Sequence, residues 1–179
     1  MSITTDGDHE IAVSEDEQIV AIKQPSIQAL IAALGDEDDD VRRQAQVALN
    51  ALGVEAVEPL GEALLHGSPE VRRRAAALLA NFGDARVVEI LLEALERLRA
   101  EGDDLTLIQV VDGLGNFSDP RALKPLVDAL EDATSNVRRR IIRALVSIGD
   151  KRAAEVIETL VDDPEIGETA RWALTQLGD

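Results

Sequence analysis

The chain has 179 residues, and its 35 aspartates and glutamates outnumber 18 lysines and arginines, giving a net charge of −17. This charge argues against nucleic acid as a partner, because binding phosphates requires a basic surface. There is no cysteine, which excludes disulfides and thiolate metal sites. We expect no membrane span and no secretion signal, because long apolar runs are missing and the N-terminus lacks a basic start, so we place the protein in the cytoplasm.

The N-terminal segment is acidic and shows no sustained hydrophobic periodicity. Residues 1–20 contain six acids and neither lysine nor arginine. This composition predicts a disordered acidic tail over residues 1–17, followed by a folded domain over residues 18–179. Lysine is rare in the whole chain, with only Lys23, Lys124 and Lys151. An acidic, lysine-poor surface is similar to that of proteins from salt-loving organisms, and the alternative explanation is ordinary solubility.

Five similar segments recur along the rest of the chain at spacings of 29–35 residues, which is typical of helical repeat proteins. They are ALNALG (48–53), LLANFGD (78–84), VDGLGNFSD (111–119), RALVSIGD (143–150) and WALTQLGD (172–179). Taking each as the end of a unit divides the chain into repeats at about 25–53, 54–84, 85–119, 120–150 and 151–179.

Each unit has the pattern of two amphipathic helices. In the first unit, apolar residues at Ile27, Leu30, Ile31 and Leu34 follow the i, i+3, i+4, i+7 spacing of one helix face. Short acidic turns such as residues 35–40 separate the two helices and can cap the second. No segment alternates with period two. The sequence therefore predicts an all-α fold, an α-solenoid of about five antiparallel helix pairs.

A more specific motif accompanies these helices. Units contain Ala-x-x-Pro-Leu (56–60 and 122–126), an acidic turn, and Val-Arg-Arg at 41–43, 71–73 and 137–139. The pattern resembles the HEAT-like repeat family first recognised in phycobilisome lyases, and the resemblance covers roughly residues 25–179. It implies a superhelical stack held together by contacts between neighbouring units.

The resemblance also implies that the first arginine of each Val-Arg-Arg motif forms a structural ion pair. Its partner would be an acid of the preceding turn or of the neighbouring unit. The expected pairs are those of Arg42 with residues 38–40, Arg72 with Glu70, and Arg138 with Asp132.

The second arginines lie one position further round the helix and are expected to reach solvent. Together with neighbouring arginines they form a candidate basic strip that could orient an acidic partner. Its residues are Arg43, Arg73, Arg139 and Arg143, with Arg74 and Arg140 beside them. The alternative is a solvated helix face.

The third unit has apolar residues where the other units carry charged or polar ones. Leu107, Ile108 and Val111 align with Arg42, Arg43 and Gln46, and Ile142 of unit 4 falls in the column of Val111. This exchange predicts an exposed apolar spot that binds a partner. The alternative is that the longer first helix of unit 3 buries these residues.

No catalytic, cofactor or metal site is expected from the sequence. His9 and His66 lack a second ligand at helical spacing, and Ser68 and Ser135 lack a nearby histidine. Trp172 is predicted to cap the end of the stack rather than to bind a ligand.

The sequence therefore favours a non-catalytic adaptor that binds another protein through the face formed by the second helices. The family resemblance implies an alternative, a bilin lyase subunit or another phycobiliprotein-handling factor. Few aromatic residues are available to hold a tetrapyrrole, since the chain has two phenylalanines, one tryptophan and no tyrosine.

Overall fold

The computed structural model describes residues 25–178 of the chain. The predicted acidic tail at residues 1–17 lies outside the described residues. Over the described range the fold is helical, without a β-strand. The prediction of an all-α solenoid is confirmed.

The helices form five consecutive pairs, one pair in each predicted unit. The α-helices are α1 Ile27–Ala33, α2 Asp39–Leu52, α3 Val57–His66, α4 Pro69–Leu79, α5 Arg86–Glu101, α6 Asp104–Phe117, α7 Leu123–Ala129, α8 Ser135–Ile148, α9 Ala153–Glu158 and α10 Gly167–Gly178. Short 3₁₀ helices at Gly53–Ala56 and Pro120–Ala122 lead into α3 and α7. The second helices of units 1–5 are α2, α4, α6, α8 and α10.

Side-chain caps fix where several of these helices begin. The Asp38 carboxylate accepts a hydrogen bond from the Asp40 amide at 2.8 Å, and Asp103 accepts one from the Thr106 amide at 3.2 Å. Each cap satisfies an amide that has no partner inside the helix. The acidic turns seen in the sequence therefore define the start of α2 and of α6.

Left-handed residues end several second helices. Gly149 ends α8 with φ of +71°, a conformation that costs glycine little. Ser118 adopts φ of +50° at the same place after α6. Its hydroxyl donates to the carbonyl oxygen of Ser147 at 3.0 Å, which ties unit 3 to unit 4. This hydrogen bond offsets part of the strain that a non-glycine residue has there.

The core runs along the whole stack between the two rows of helices. Leucine, isoleucine, valine and alanine of every pair are buried in one continuous cluster. Contact between α6 and α8 is more extensive than contact between the first helices α5 and α7. We call the exposed surface of the second helices the second-helix face.

Small residues allow this close approach. A Cβ atom added to Gly115 of α6 would lie 3.1 Å from Cα of Ala144 in α8, and one added to Gly113 would lie 3.1 Å from Cβ of Ala80. Both distances are shorter than ordinary van der Waals contact. The glycines of α6 thus position the second-helix face of units 2–4.

Candidate protein-binding face

The first arginines of the Val-Arg-Arg motifs join neighbouring units. Arg72 pairs with Glu101 and, at 2.7 Å, with Asp103 of unit 3, while Arg138 pairs with Asp163 of unit 5 at 3.0 Å. The Arg72 side chain is only 13% exposed. The predicted structural role is confirmed for these two arginines, which hold the stack together.

The predicted acids were wrong for both. Glu70 pairs with Arg73 and Arg74 on its own helix, and Asp132 pairs with Arg99 of unit 3. Arg72 and Arg138 point toward the following unit, so the acids that precede them in their own units, Glu70 and Asp132, pair with other arginines.

Arg42 differs because it stays within unit 1. It pairs with Asp39, as predicted, and donates to the carbonyl oxygen of Asp36. The turn of unit 2 has Ser68 at the helix-capping position where unit 3 has Asp103. With no carboxylate at that position, the arginine turns back to its own unit.

The predicted apolar spot is not a surface. Leu107 is 2% exposed, and Val111 and Ile142 are completely buried. Ile108 is half-buried and packs against the core. The prediction of an exposed patch is therefore wrong, because these positions adjoin the next unit.

Leu107 is buried because the aligned position in unit 2 also lies between two units. Leu107 occupies the column of Arg72, whose side chain is buried between units, so an apolar residue there extends the core. Arg99 of α5 supplies the missing ion pair between units 3 and 4, donating to Asp132 at 3.0 Å and to the Asp128 carbonyl oxygen at 3.0 Å.

The second-helix face nevertheless carries exposed apolar side chains. Of the large exposed hydrophobic residues in the described part of the chain, Val47, Leu105 and Trp172 lie on second helices, and Val54 lies in a 3₁₀ helix. Leu105 is 63% exposed at the start of α6, one turn before Ile108. Sequence reasoning missed Leu105, although its spacing of three and seven residues from Ile108 and Asp112 places all three on one helix face.

The predicted basic strip is mostly neutralised. Arg43 pairs with Asp40, and Arg73 and Arg74 share Glu70. Burial raises the pKa of Glu70, but hydrogen bonds and charge from both arginines outweigh burial and leave that pKa lowered. In units 1 and 2 the strip is therefore a set of ion pairs.

The arginines of unit 4 do not pair with acids of their own helix. Arg140 pairs with Asp112 of unit 3 at 3.3 Å. Burial raises the pKa of Asp112 even though the charges of Arg140 and Arg143 oppose the shift. Arg139 donates to the carbonyl oxygen of Glu165 at 2.9 Å, so its contact is with backbone rather than with a carboxylate.

Trp172 of α10 lies beside Arg143 of α8. The guanidinium carbon of Arg143 sits 5.6 Å from the centre of the indole ring, within the range of a cation–π interaction. Both residues line a cleft of about 380 Å³ together with Glu168 and Thr169. The ring is 44% exposed and faces the preceding unit, which contradicts the prediction that it caps the stack.

A second recurring motif was missed in the sequence. Asp-x-Arg follows three of the unit endings, at 84–86, 119–121 and 150–152, and each aspartate binds the amide and side chain of its arginine. Arg86 and Arg121 also reach Glu58 and Glu89 of the preceding first helices. The motif is visible in the spacing, and its role is structural.

These ion pairs strongly lower the pKa values of two of the aspartates, Asp84 and Asp150. The hydrogen bond from the Arg86 side chain lowers the pKa of Asp84 to about 2, and Arg152 does the same for Asp150. Both aspartates therefore remain charged well below the pH at which free aspartate takes up a proton.

The described residues offer no cluster for a metal ion. No group of three or more potential ligands comes together within residues 25–178. His66 lies on the exposed side of α3, 3.7 Å from Glu62, and Ser135 donates to Glu165. His9 lies outside the described range. No helix in the described part is long and apolar enough to cross a membrane.

Comparison with known proteins agrees with this architecture. A family model of HEAT repeats matches residues 27–97 and 94–178. The chain belongs to the HEAT repeat family. This confirms the resemblance drawn from the repeat motifs.

Two cyanobacterial proteins are similar to this HEAT-repeat chain. One is the uncharacterized phycocyanin operon protein Z of Pseudanabaena tenuis, 30% identical over 162 residues that cover 84% of this chain and 79% of the relative. The other is the phycocyanobilin lyase subunit alpha of a Picosynechococcus species, 30% identical over 154 residues. That match covers 75% of this chain and 57% of the lyase subunit.

Proposed function

We propose that this HEAT-repeat protein is a non-catalytic adaptor that binds another protein through its second-helix face. The observation that carries the proposal is the distribution of exposed apolar residues. Val47, Leu105 and Trp172 all lie on second helices, and Arg139 and Arg143 lie on the same side. Apolar residues and arginines set among polar side chains are the usual composition of a protein-binding surface.

The architecture supports the same face. Extended solenoids bind along their concave side, where neighbouring units contribute side chains at regular spacing. The close packing of α6 against α8 places Asp112 of unit 3 within reach of Arg140 of unit 4. A partner lying across the stack would therefore contact several units at once.

Photo-crosslinking at single positions tests this proposal. A photoreactive amino acid is placed at Val47, Leu105 or Asn116 on the second-helix face, and at Glu93 or Glu158 on exposed positions of first helices. We expect a protein adduct of defined mass from the three second-helix positions after irradiation in the cells that produce the protein. Equal adducts from Glu93 and Glu158, or none from either group, would refute a dedicated binding face.

The second candidate is a subunit of a bilin lyase or a factor that handles phycobiliproteins. It is favoured by the 30% identity to a phycocyanobilin lyase subunit. In this reading the same face would hold a phycobiliprotein, and a second subunit would complete the enzyme.

Co-expression separates the two candidates. The chain is produced with phycocyanin subunits and a source of phycocyanobilin. The experiment is done with and without the other subunit of the Picosynechococcus phycocyanobilin lyase. Covalent bilin on the phycocyanin, detected by absorbance and by zinc fluorescence in a denaturing gel, supports the lyase reading. Capture of phycocyanin subunits without bilin attachment supports an adaptor.

A further inference from the structure

We infer that units 4 and 5 of the second-helix face bind a carboxylate-rich segment of the partner protein, held by Arg139 and Arg143 and packed on Trp172. The inference rests on the proposed adaptor function and adds the chemistry of the partner. The net charge of the chain is −17 and would by itself favour a basic partner, whereas the inferred partner segment is acidic.

Arg139 and Arg143 differ from most arginines of the chain in their ion pairing. In the described residues, most arginines lie within 4 Å of a carboxylate, and only Arg139, Arg143 and Arg171 do not. Arg139 and Arg171 each donate to a backbone carbonyl oxygen, that of Glu165 and that of Val161, and Arg143 lies over the ring of Trp172. Of these three arginines, Arg139 and Arg143 lie together on one helix, α8.

The spacing of these two arginines suits a ligand with two carboxylates. Arg139 and Arg143 are four residues apart on one helix, so their side chains are neighbours on the same face. Like charges at this spacing destabilise a helix. An incoming pair of carboxylates would reverse that repulsion, and a guanidinium has the planar, multi-donor geometry that binds a carboxylate best.

A cleft beside Arg143 can accept an apolar side chain of the partner. Trp172 offers a 44% exposed indole ring, and the cleft of about 380 Å³ is lined by Arg143, Glu168, Thr169 and Trp172. Tryptophan and arginine are the residues that most often dominate binding energy at protein interfaces. An apolar side chain next to the partner's acids would fit over the ring.

Long-range repulsion does not prevent such binding under ordinary conditions. At about 0.15 M salt the Debye length is about 8 Å, so exposed acids elsewhere on the stack are screened. The acids close to the site are Asp112, which pairs with Arg140, and Glu165, whose carboxylate accepts from Ser135, together with Glu168. None of these acids forms an ion pair with Arg139 or Arg143, although the charge of Arg143 acts on Asp112 and Glu168 lines the same cleft. The partner's carboxylates would therefore bind these two guanidinium groups.

The chain offers a built-in probe, because Trp172 is its only tryptophan and there is no tyrosine. Its fluorescence is followed while the full chain is titrated with a synthetic peptide of repeated Glu-Leu-Asp, and with a matched peptide of repeated Gln-Leu-Asn, at about 0.15 M salt. Anisotropy of a labelled peptide provides a second readout. We expect saturable binding of the acidic peptide and none of the neutral peptide.

Paired variants assign the effect. The double variant Arg139→Gln/Arg143→Gln should weaken binding of the acidic peptide about tenfold or more, since both charge-assisted contacts are lost. The matched double variant Arg43→Gln/Arg73→Gln removes arginines that already have acidic partners, and should bind as the original chain does. Circular dichroism checks that both variants remain folded.

The outcomes separate this inference from the proposed function. No binding of the acidic peptide, equal binding of the neutral peptide, or equal loss in both double variants overturns the inference. If photo-crosslinking from Leu105 persists unchanged in Arg139→Gln/Arg143→Gln, the adaptor proposal stands and the acidic-partner inference fails. If crosslinking is absent from the whole face, the adaptor proposal itself fails.

Discussion

Replacing Arg72 by alanine should weaken the junction between units 2 and 3. The Arg72 guanidinium contacts Glu101 and lies 2.7 Å from the Asp103 carboxylate. The side chains of Arg72 and Asp103 are only 13% and 16% exposed, so the pair is largely shielded from water. Removing the arginine leaves Asp103 with its hydrogen bond from the Thr106 amide as a remaining stabilising contact.

The expected loss in the free energy of unfolding for Arg72→Ala lies between two limits. Breaking a fully buried ion pair costs about 3–5 kcal/mol, and breaking an exposed one costs less than about 1 kcal/mol. Asp103 is partly shielded and keeps its helix-capping bond, so we expect a loss of about 2 kcal/mol in the free energy of unfolding.

Urea unfolding followed by circular dichroism measures this loss. Arg43→Ala is the matched control, since Arg43 and Asp40 are 70% and 67% exposed, and it should cost less than about 0.5 kcal/mol. A double-mutant cycle with Asp103→Ser keeps a capping side chain and should return a coupling energy of about 1–2 kcal/mol. If Arg72→Ala costs no more than Arg43→Ala, the ion pairs of Arg72 with Glu101 and Asp103 do not stabilise the stack.

Four other predictions concern packing, buried polarity, pH and salt. Gly115→Ala should lower the free energy of unfolding by about 1 kcal/mol, because overpacking against α8 exceeds the gain in helix propensity; Gly83→Ala, which meets open space, should change it by less than about 0.5 kcal/mol. Thr106→Val should raise it by about 1 kcal/mol, because the Thr106 hydroxyl is buried without a hydrogen-bond partner among the described residues. Arg86→Gln should raise the pKa of Asp84 from about 2 toward 3.8, as measured by NMR of the carboxyl carbon. That carboxylate stabilises the fold above the unfolded pKa and loses its effect as pH falls through about 2, and an unchanged pKa in Arg86→Gln would contradict the assigned cause. Thermal midpoints should rise from low to molar KCl if self-repulsion of the acidic surface weakens the fold, whereas a flat response would favour ordinary solubility.

The fold could be predicted from the sequence because its signals are local. Apolar spacing along Ile27, Leu30 and Leu34 marks a helix face, and an aspartate such as Asp38 marks the start of the next helix. These features depend on residues within one or two turns. Repetition in five units then fixed how the helix pairs follow one another.

The binding face could be predicted only in part, because exposure depends on contacts between units. The column of Arg72 contains charged residues in several units and therefore reads as solvent-facing. An arginine can bury its aliphatic stem while its guanidinium reaches an acid of the next unit, so the column belongs to the interior. Leu107 in that column is core for the same reason, and Ile108, one position further round the helix, is half-buried.

Trp172 and Leu105 are exposed residues whose place on the binding face was not predicted from the sequence. A tryptophan in the last unit can cover the end of a stack or face the preceding unit, and the sequence does not distinguish these directions. The position of Trp172 follows from its approach to Arg143, a contact between residues of different units. Leu105 lies where the other units carry acids or asparagine, and its exposure of 63% in the structure identifies it as a surface residue.

The residues that shape the second-helix face are largely different from those that would touch a partner. Gly115 brings α6 close to α8, Ser118 ties the end of α6 to Ser147, and Arg99 supplies the ion pair that Leu107 cannot. Together these contacts fix the position of unit 4 relative to unit 3, and hence the spacing between Leu105 on one side and Arg139 and Arg143 on the other. A partner that spans both units must match this spacing. Substitutions at the buried junction should therefore alter binding without changing any residue of the face, which distinguishes a rigid solenoid surface from a set of independent contact sites.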